Sequence, residues 1–176
     1  MKRKPSLREP MPMPNPHFLV KVHKIKANEI GKTLFSHHWH QHLEFLYLVS
    51  GKAKFECNSR ILLTEAGYLL VINCNDLHHG ISLSDDLYYY AIIVDPAVLH
   101  SHSVDAVDTK FITPITQNQI LIQNKIKDDP QIRNSVLAIV EEISRRELGY
   151  ELAVKSHLYL LLTLLTRNYV KHVLSE

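Results

Sequence analysis

The stretch HHWHQHLEFLYLVSGKAKFE, residues 37–56, decides the fold class of this chain. Two runs rich in aromatic and aliphatic residues begin within it, 43–49 and 53–57, and Ser50 and Gly51 lie between them. Aromatic and β-branched residues favour strands, and glycine permits the positive φ that a tight turn needs. The stretch therefore predicts two short strands joined by a turn.

The same pattern of short strand-like runs separated by turn residues continues on both sides of this stretch. Further strand-like runs lie at residues 18–25, 60–63, 68–73 and 87–94. Many short strands at such spacing are typical of an antiparallel sandwich or barrel. No helix of ordinary length fits between Phe18 and Asp95, so alternating strands and helices around a parallel sheet are excluded. The fold class predicted is mainly β.

The chain after residue 129 has a different pattern. Asp129 and Pro130 form a capping residue followed by proline at the first helical position. Apolar residues then recur at helical spacing until Leu148 and Gly149, and a second helix is expected from about residue 150 to 173. We expect an antiparallel helical pair behind the β-domain, with domain limits of 1–16 for an N-terminal arm, 17–129 for the barrel and 130–176 for the helices.

The second helix is apolar nearly all the way round between residues 158 and 165. This segment is too short to span a bilayer, which needs about 20 apolar residues. A helix that is apolar on all sides is buried on more than one side, either within one chain or against a second copy. We favour a homodimer, with an interface formed by Leu158, Leu161, Leu162 and Leu165.

Residues 1–16 hold five of the 8 prolines and most of the local charge is basic. Proline fixes φ and removes a backbone donor, so this arm is expected to be extended. A disordered tail is the preferred interpretation, and the alternative is an arm that folds over a pocket or touches DNA.

Composition excludes several functional classes. The net charge of +2 is too small for a dedicated nucleic-acid binder, and no apolar segment follows the basic start as in a signal peptide. Two cysteines cannot build a disulfide framework. We therefore expect a cytoplasmic protein that does not associate with membranes.

Six of the 12 histidines fall in two short windows, four at residues 37–42 and two at residues 78–79. Alternation along an extended chain places His38, His40 and Glu44 on one face, with His42 on the same face unless a bulge turns it away. His78 comes from a later turn and could join them, and Tyr89 is the tyrosine of 88–90 expected to point inward. Two imidazoles and a carboxylate suit a divalent metal such as Zn, Ni, Mn or Fe, but they equally suit the hydroxyl groups of a polar metabolite.

These motifs resemble the cupin family of small β-barrels. The first cupin motif matches at His38, His40, Glu44 and Gly51, and the second at Gly67 and His78. Three positions differ from the second cupin motif: Asn73, Asn75 and Ser82. The resemblance implies a double-stranded β-helix, or jelly-roll barrel. It also implies that residues able to bind a metal occupy all four ligand positions of a metal-binding cupin.

A narrower resemblance covers about 150 residues. Four segments are similar to the ligand-binding domain of AraC-type transcription regulators: residues 37–56, EAGYLLVINCNDLHH at 65–79, YYYAIIVDP at 88–96 and LLLTLLTRNY at 160–169. In that family the barrel senses a small molecule, the helices dimerise, and a C-terminal helix-turn-helix domain binds DNA. The resemblance implies an effector-sensing domain without its DNA-binding partner domain, and a truncated protein is preferred over a stand-alone regulator.

Two functions remain open on sequence grounds. The first is a sensor that binds a small polar molecule, for example a sugar, without an obligate metal. The alternative is a metal-dependent cupin enzyme, such as a dioxygenase or sugar isomerase, in which the same four residues hold the ion. The sensor is preferred because catalysis does not need the helical pair, and no catalytic residue is assigned.

Overall fold

The computed structural model describes residues 4–101 and 105–173. The strands are β1 (Val20–Ala27), β2 (Thr33–His38), β3 (Leu43–Ser50), β4 (Lys52–Cys57), β5 (Arg60–Glu65), β6 (Leu69–Ile72), β7 (His78–Ser82), β8 (Leu87–Val94), β9 (Ile120–Ile122), β10 (Lys125–Ile126) and β11 (Val170–Val173). The helices are α1 (Thr113–Thr116), α2 (Pro130–Arg145) and α3 (Tyr150–Asn168), and a π-helical segment at Asp108–Ile112 leads into α1.

Two antiparallel sheets form the β-domain. One has the strand order β1-β8-β3-β6-β10 and the other β2-β7-β4-β5, while β11 and β9 make a separate small pair. Side chains from both sheets meet in one buried cluster between them, including Leu46, Phe55 and Tyr89. The predicted fold, a mainly β cupin-like barrel followed by a helical pair, is confirmed.

Strand β3 is buried on both faces. Leu46 and Leu48 belong to the cluster between the sheets, whereas Phe45 and Tyr47 belong to a second cluster shared with α2 and α3. Helices therefore cover the outer face of the five-stranded sheet, and side chains of β3 are apolar on both sides for that reason.

The turn between β3 and β4 requires glycine at position 51. Gly51 has a φ of 76°, and a Cβ atom there would lie 2.6 Å from the Cα of Leu87. A side chain at this position would need both a strained backbone and a displaced β8, so the close approach of the two sheets depends on this glycine.

The helix ends differ from those expected. Asp129 caps α2 as predicted, because its carboxylate accepts hydrogen bonds from the backbone N–H of Gln131 and Ile132. However, α2 ends at Arg145, and Arg146 takes the left-handed conformation with a φ of 52°. Gly149, expected to close α2, instead precedes α3, and α3 ends at Asn168 because the chain turns into β11.

The predicted dimer interface is wrong as to its residues. Leu158, Leu161, Leu162 and Leu165 are 1%, 0%, 4% and 0% exposed within a single chain. They pack in the cluster that joins the helices to the five-stranded sheet. These four leucines therefore belong to the core of a single chain.

None of the helices within residues 4–101 and 105–173 is long and apolar enough to cross a membrane.

Candidate functional site

Four side chains named from the sequence converge at one end of the barrel. His38 ends β2, His40 lies in the connection from β2 to β3, Glu44 belongs to β3, and His78 begins β7. The chain is not one continuous strand here, but the predicted common face holds, because Glu44 points inward with Leu46. Antiparallel pairing brings in His78, whose register partner on β2 is His38.

Glu44 is the centre of this cluster. Its Oε2 atom lies 3.2 Å from Nε2 of His40 and 3.2 Å from Nε2 of His78. The rings of His38 and His78 are 4.1 Å apart between centroids, and those of His40 and His78 are 5.1 Å apart. His40, Glu44 and His78 are all buried, so these contacts are shielded from water.

The electrostatics of the cluster favour the ionised carboxylate. Burial alone would raise the pKa of Glu44, but the hydrogen bonds and charges of His40 and His78 lower it well below its usual range. Burial alone would likewise lower the pKa of His78, yet contact with Glu44 raises it. Burial and the charge of His78 lower the pKa of His38. A carboxylate held ionised at the centre attracts a cation or a hydrogen-bond donor.

The outer nitrogens fix the orientation of two rings. His38 Nδ1 lies 2.8 Å from the carbonyl oxygen of Ser36, and His78 Nδ1 lies 2.8 Å from that of Asp76. A carbonyl only accepts, so each Nδ1 carries a proton, and the Nε2 atoms face the carboxylates of Glu9 and Glu44, respectively. This is the arrangement in which histidine binds a metal.

The donor set fits a divalent metal ion. The ligand atoms of His38, His40 and His78 all lie within 4.8 Å of one another. Two atoms that are each about 2.1 Å from one ion lie roughly 3.0–3.4 Å apart. The two 3.2 Å contacts of Glu44 agree with that spacing. All four predicted ligands are therefore brought together.

Several buried polar atoms of the cluster lack a hydrogen-bond partner among the described residues. They are Nδ1 of His40 and the hydroxyl of Tyr89, whereas Nε2 of His78 has only its 3.2 Å contact with Glu44. Burial raises the pKa of Tyr89, and the charge of Glu44 raises it further. The Tyr89 hydroxyl is therefore close enough to the cluster to be affected by the charge of Glu44. Its side chain points inward, as strand alternation predicted. An unpaired buried polar group costs about 1–3 kcal/mol, so these atoms favour a polar ligand.

His42 does not join the cluster. The bend at residues 41–42 breaks the alternation, and Nε2 of His42 lies 3.4 Å from Oδ2 of Asp95, although its ring stays 5.6 Å from that of His40. The bend between β2 and β3 therefore keeps His42 out of the cluster, where it would have been a fifth ligand.

Asparagines hold the turn that precedes His78. Asn73 donates to the carbonyl of Ile122 and accepts from its N–H, which ties the turn to β9. Asn75 has a φ of 63°, a left-handed conformation that asparagine tolerates. The departure from the second cupin motif at these positions therefore leaves a defined turn that presents His78 to the barrel.

The N-terminal arm covers the cluster. Glu9 Oε2 lies 2.9 Å from Nε2 of His38. Trp39 anchors the arm, because its backbone N–H donates to Leu7, its carbonyl accepts from Glu9, and its ring nitrogen donates to the Lys4 carbonyl. The preferred interpretation of a disordered tail is wrong for residues 4–9, which pair with the β2–β3 connection.

The arm divides the mouth of the barrel into two cavities. Residues 6–9 and 35–38 line one of about 340 Å³, and residues 8–11 and 40–42 line another of about 300 Å³. Both cavities share Arg8 and Glu9. Sequence reasoning missed Glu9 and Trp39, and the only signal was a lone acid within a basic arm.

Residues 28–162 match the sequence profile of the AraC-like ligand binding domain. This chain belongs to the AraC-like ligand-binding domain family. The match spans most of the chain and includes all four residues of the cluster, and it confirms the resemblance found in the sequence. A search of curated proteins finds no match for this AraC-like domain.

Several solved structures are similar to part of the AraC-like domain. An oxalate decarboxylase is 17% identical over 44% of this chain and 22% of its own, with a TM-score of 0.39. A cupin family protein from Methanocaldococcus jannaschii is 13% identical over 43% of this chain and 70% of its own, with a TM-score of 0.40. Pac13, a nucleoside dehydratase, is 17% identical over 43% of this chain and 59% of its own, with a TM-score of 0.38.

Proposed function

We propose that this AraC-like domain senses a small polar molecule that binds at the cluster of His38, His40, Glu44 and His78. One observation carries the proposal: Glu9 of the arm contacts His38 directly. A molecule that binds His38 competes with Glu9, so occupancy of the cluster and the position of the arm are linked. A ligand shifts such an equilibrium only by its difference in affinity between the two states.

The contacts define the chemistry of the effector. The unpaired atoms of His40 and Tyr89 suit hydroxyl groups. The Glu9 carboxylate at His38 marks a place for an acidic group. Sugars and sugar acids are therefore the classes to test first.

Thermal shift with a panel of sugars and sugar acids tests this proposal. We expect one compound to raise Tm in the intact chain and to lose this effect in the variant His40→Ala with Glu44→Ala. The control variant His17→Ala with Glu29→Ala removes the same residue types from exposed positions. An effector that stabilises the cluster variant as strongly as the intact chain would place the ligand elsewhere.

A metal-dependent enzyme is the second candidate, and the convergence of three imidazoles with Glu44 favours it. The four side chains would hold the ion, which would supply Lewis-acid or oxygen-activating chemistry. Metal analysis of the purified protein, combined with turnover assays on the same panel, separates the two candidates. Stoichiometric metal with turnover favours the enzyme, whereas arm movement without turnover favours the sensor.

Pairing of two copies forms a second part of the proposal. Leu148, which lies two residues before α3, and Leu152 in the first turn of α3 are 108% and 76% exposed. Helices of this region dimerise in the regulators that the sequence resembles, and two such leucines are costly to leave in water. We infer that they contact a second copy.

Light scattering on Leu148→Asp with Leu152→Asp tests pairing. We expect monomers, whereas Ile61→Asp with Leu63→Asp, which changes equally apolar exposed positions on β5, should remain dimeric. An unchanged molar mass in the Leu148→Asp with Leu152→Asp variant would show that the interface lies elsewhere. By analogy with those regulators, we propose that effector binding is transmitted to a helix-turn-helix domain beyond residue 176. Sequencing the gene past codon 176 tests this proposal.

A further inference from the structure

A second group of metal-binding side chains lies on the outer face of the four-stranded sheet. It consists of His37 on β2, His79 on β7 and Glu56 on β4, which we call the outer triad. These three strands are neighbours in the order β2-β7-β4. From the sequence alone His37 and His79 shared no site, and strand pairing is what joins them.

Register explains why the three side chains meet. Glu56 and His79 are direct partners across β4 and β7. Between the pairs Phe35–Gly80 and His38–His78 the register shifts, so Ser36 and His37 together lie opposite His79. This bulge turns His37 outward beside His79 while His38 still points inward.

The outer triad and the inner cluster use the two faces of the same strands. His78 is buried inside the barrel, and its neighbour His79 faces outward. His38 and His37 have the same relation on β2. The two groups are therefore separate sites, because a strand places successive side chains on opposite faces of the sheet.

The geometry of the outer triad suits chelation. The rings of His37 and His79 are parallel to within 6°, with centroids 4.4 Å apart. His37 Nε2 lies 3.6 Å from Oε2 of Glu56. One ligand atom from each residue lies within 4.8 Å of the others. Small rotations of these partly exposed side chains bring them to the roughly 3.0–3.4 Å separations of ligands on one ion.

We propose that His37, Glu56 and His79 bind a divalent transition metal ion of the zinc class at an open surface site. Two imidazoles select Zn²⁺, Ni²⁺ or Cu²⁺ over Mg²⁺ and Ca²⁺, which prefer oxygen ligands. Three protein ligands leave at least one coordination position for water or for a donor from another molecule.

Zinc titration of the intact chain tests this proposal, with ZnCl₂ as the probe and bound equivalents measured by calorimetry. The variant His37→Ala with His79→Ala should lose one equivalent, or weaken its binding by more than about 100-fold. This loss is expected whether or not the inner cluster also binds zinc, because the inner cluster keeps its four residues. The variant Glu56→Gln should weaken the same equivalent while leaving the protein folded.

The control variant His17→Ala with His157→Ala removes two histidines that lie outside the triad and should bind as many equivalents as the intact chain. Binding should also weaken as pH falls from 8 to 6, because zinc competes with protons for imidazole. Identical zinc stoichiometry and affinity in the triad variant and the intact chain would overturn the proposal and leave ring stacking as the reason for the proximity. Failure of the sensor proposal would not affect this result.

Discussion

Glu9 of the N-terminal arm lies 2.9 Å from His38 of the barrel cluster, and the arm is anchored at the neighbouring residue, Trp39. Trp39 is the only tryptophan in the sequence. Its ring nitrogen donates to the Lys4 carbonyl, and the Arg8 guanidinium lies over its ring at 5.7 Å. Its fluorescence therefore reports whether the arm is in place.

The first prediction concerns release of the arm. Glu9→Gln removes the charge that faces His38, so we expect the arm to dissociate more often and the tryptophan emission to change toward that of a more solvated ring. Glu29→Gln, which removes an exposed acid from another loop, is the control and should leave the emission unchanged. Identical spectra for the two variants would show that Glu9 does not hold the arm.

A second prediction compares two adjacent leucines of α3. Leu161 is 0% exposed and Leu160 is 48% exposed. Leu161→Ala should lower the free energy of unfolding by about 2–5 kcal/mol, because it leaves a cavity between α3 and the sheet. Leu160→Ala should cost less than about 1 kcal/mol. Urea unfolding of both variants measures the difference, and equal losses would contradict the burial of Leu161.

The third prediction concerns Tyr89 and the unpaired hydroxyl at the barrel cluster. Tyr89→Phe removes a buried donor without a protein partner, so the free energy of unfolding should stay unchanged or rise slightly. Tyr159→Phe is the matched control, because the Tyr159 hydroxyl donates to the carbonyl of Leu99 and its loss should cost about 1 kcal/mol. A Tyr89→Phe chain less stable than the control would show that the hydroxyl is paired.

The fourth prediction follows the pH dependence of stability. The pKa of Glu44 is lowered in the folded chain, since its contacts with His40 and His78 outweigh burial. Its contribution is therefore complete above the unfolded pKa of about 4.3 and is lost as pH falls toward the folded pKa. The pKa of His78 is raised, so its contribution is complete below about 6.5 and is lost as pH rises through its folded pKa.

Glu44→Gln tests this linkage. The difference in free energy of unfolding between the intact chain and this variant should be largest between about pH 5 and pH 6.5. It should shrink below pH 4 by up to about 1.4 kcal/mol per pH unit. Glu29→Gln should show no such dependence. A constant difference across the acidic range would mean that the folded carboxyl of Glu44 has an ordinary pKa.

The class of fold and the inward face of β3 could be predicted from local sequence patterns. Alternation has a period of two residues and is local, so Glu44, Leu46 and Leu48 could be placed on one face without knowing the rest of the chain. The runs of aromatic and aliphatic residues that form β3 and β8 could be recognised for the same reason. Strands β2 and β7 were not predicted, because their histidines and polar residues weaken the apolar pattern.

Which side chains come together depends on strand pairing and helix packing. Antiparallel register brought His78 to His38, and a bulge set His37 beside His79 on the opposite face. Packing against the five-stranded sheet buried Leu161, which an apolar helix could equally have offered to a second copy. The contact of Glu9 with His38 also depends on a pairing 29 residues apart, since it joins positions 9 and 38. Such contacts arise from register, bulges and helix docking, which span long distances in the chain and leave no periodic signal in it.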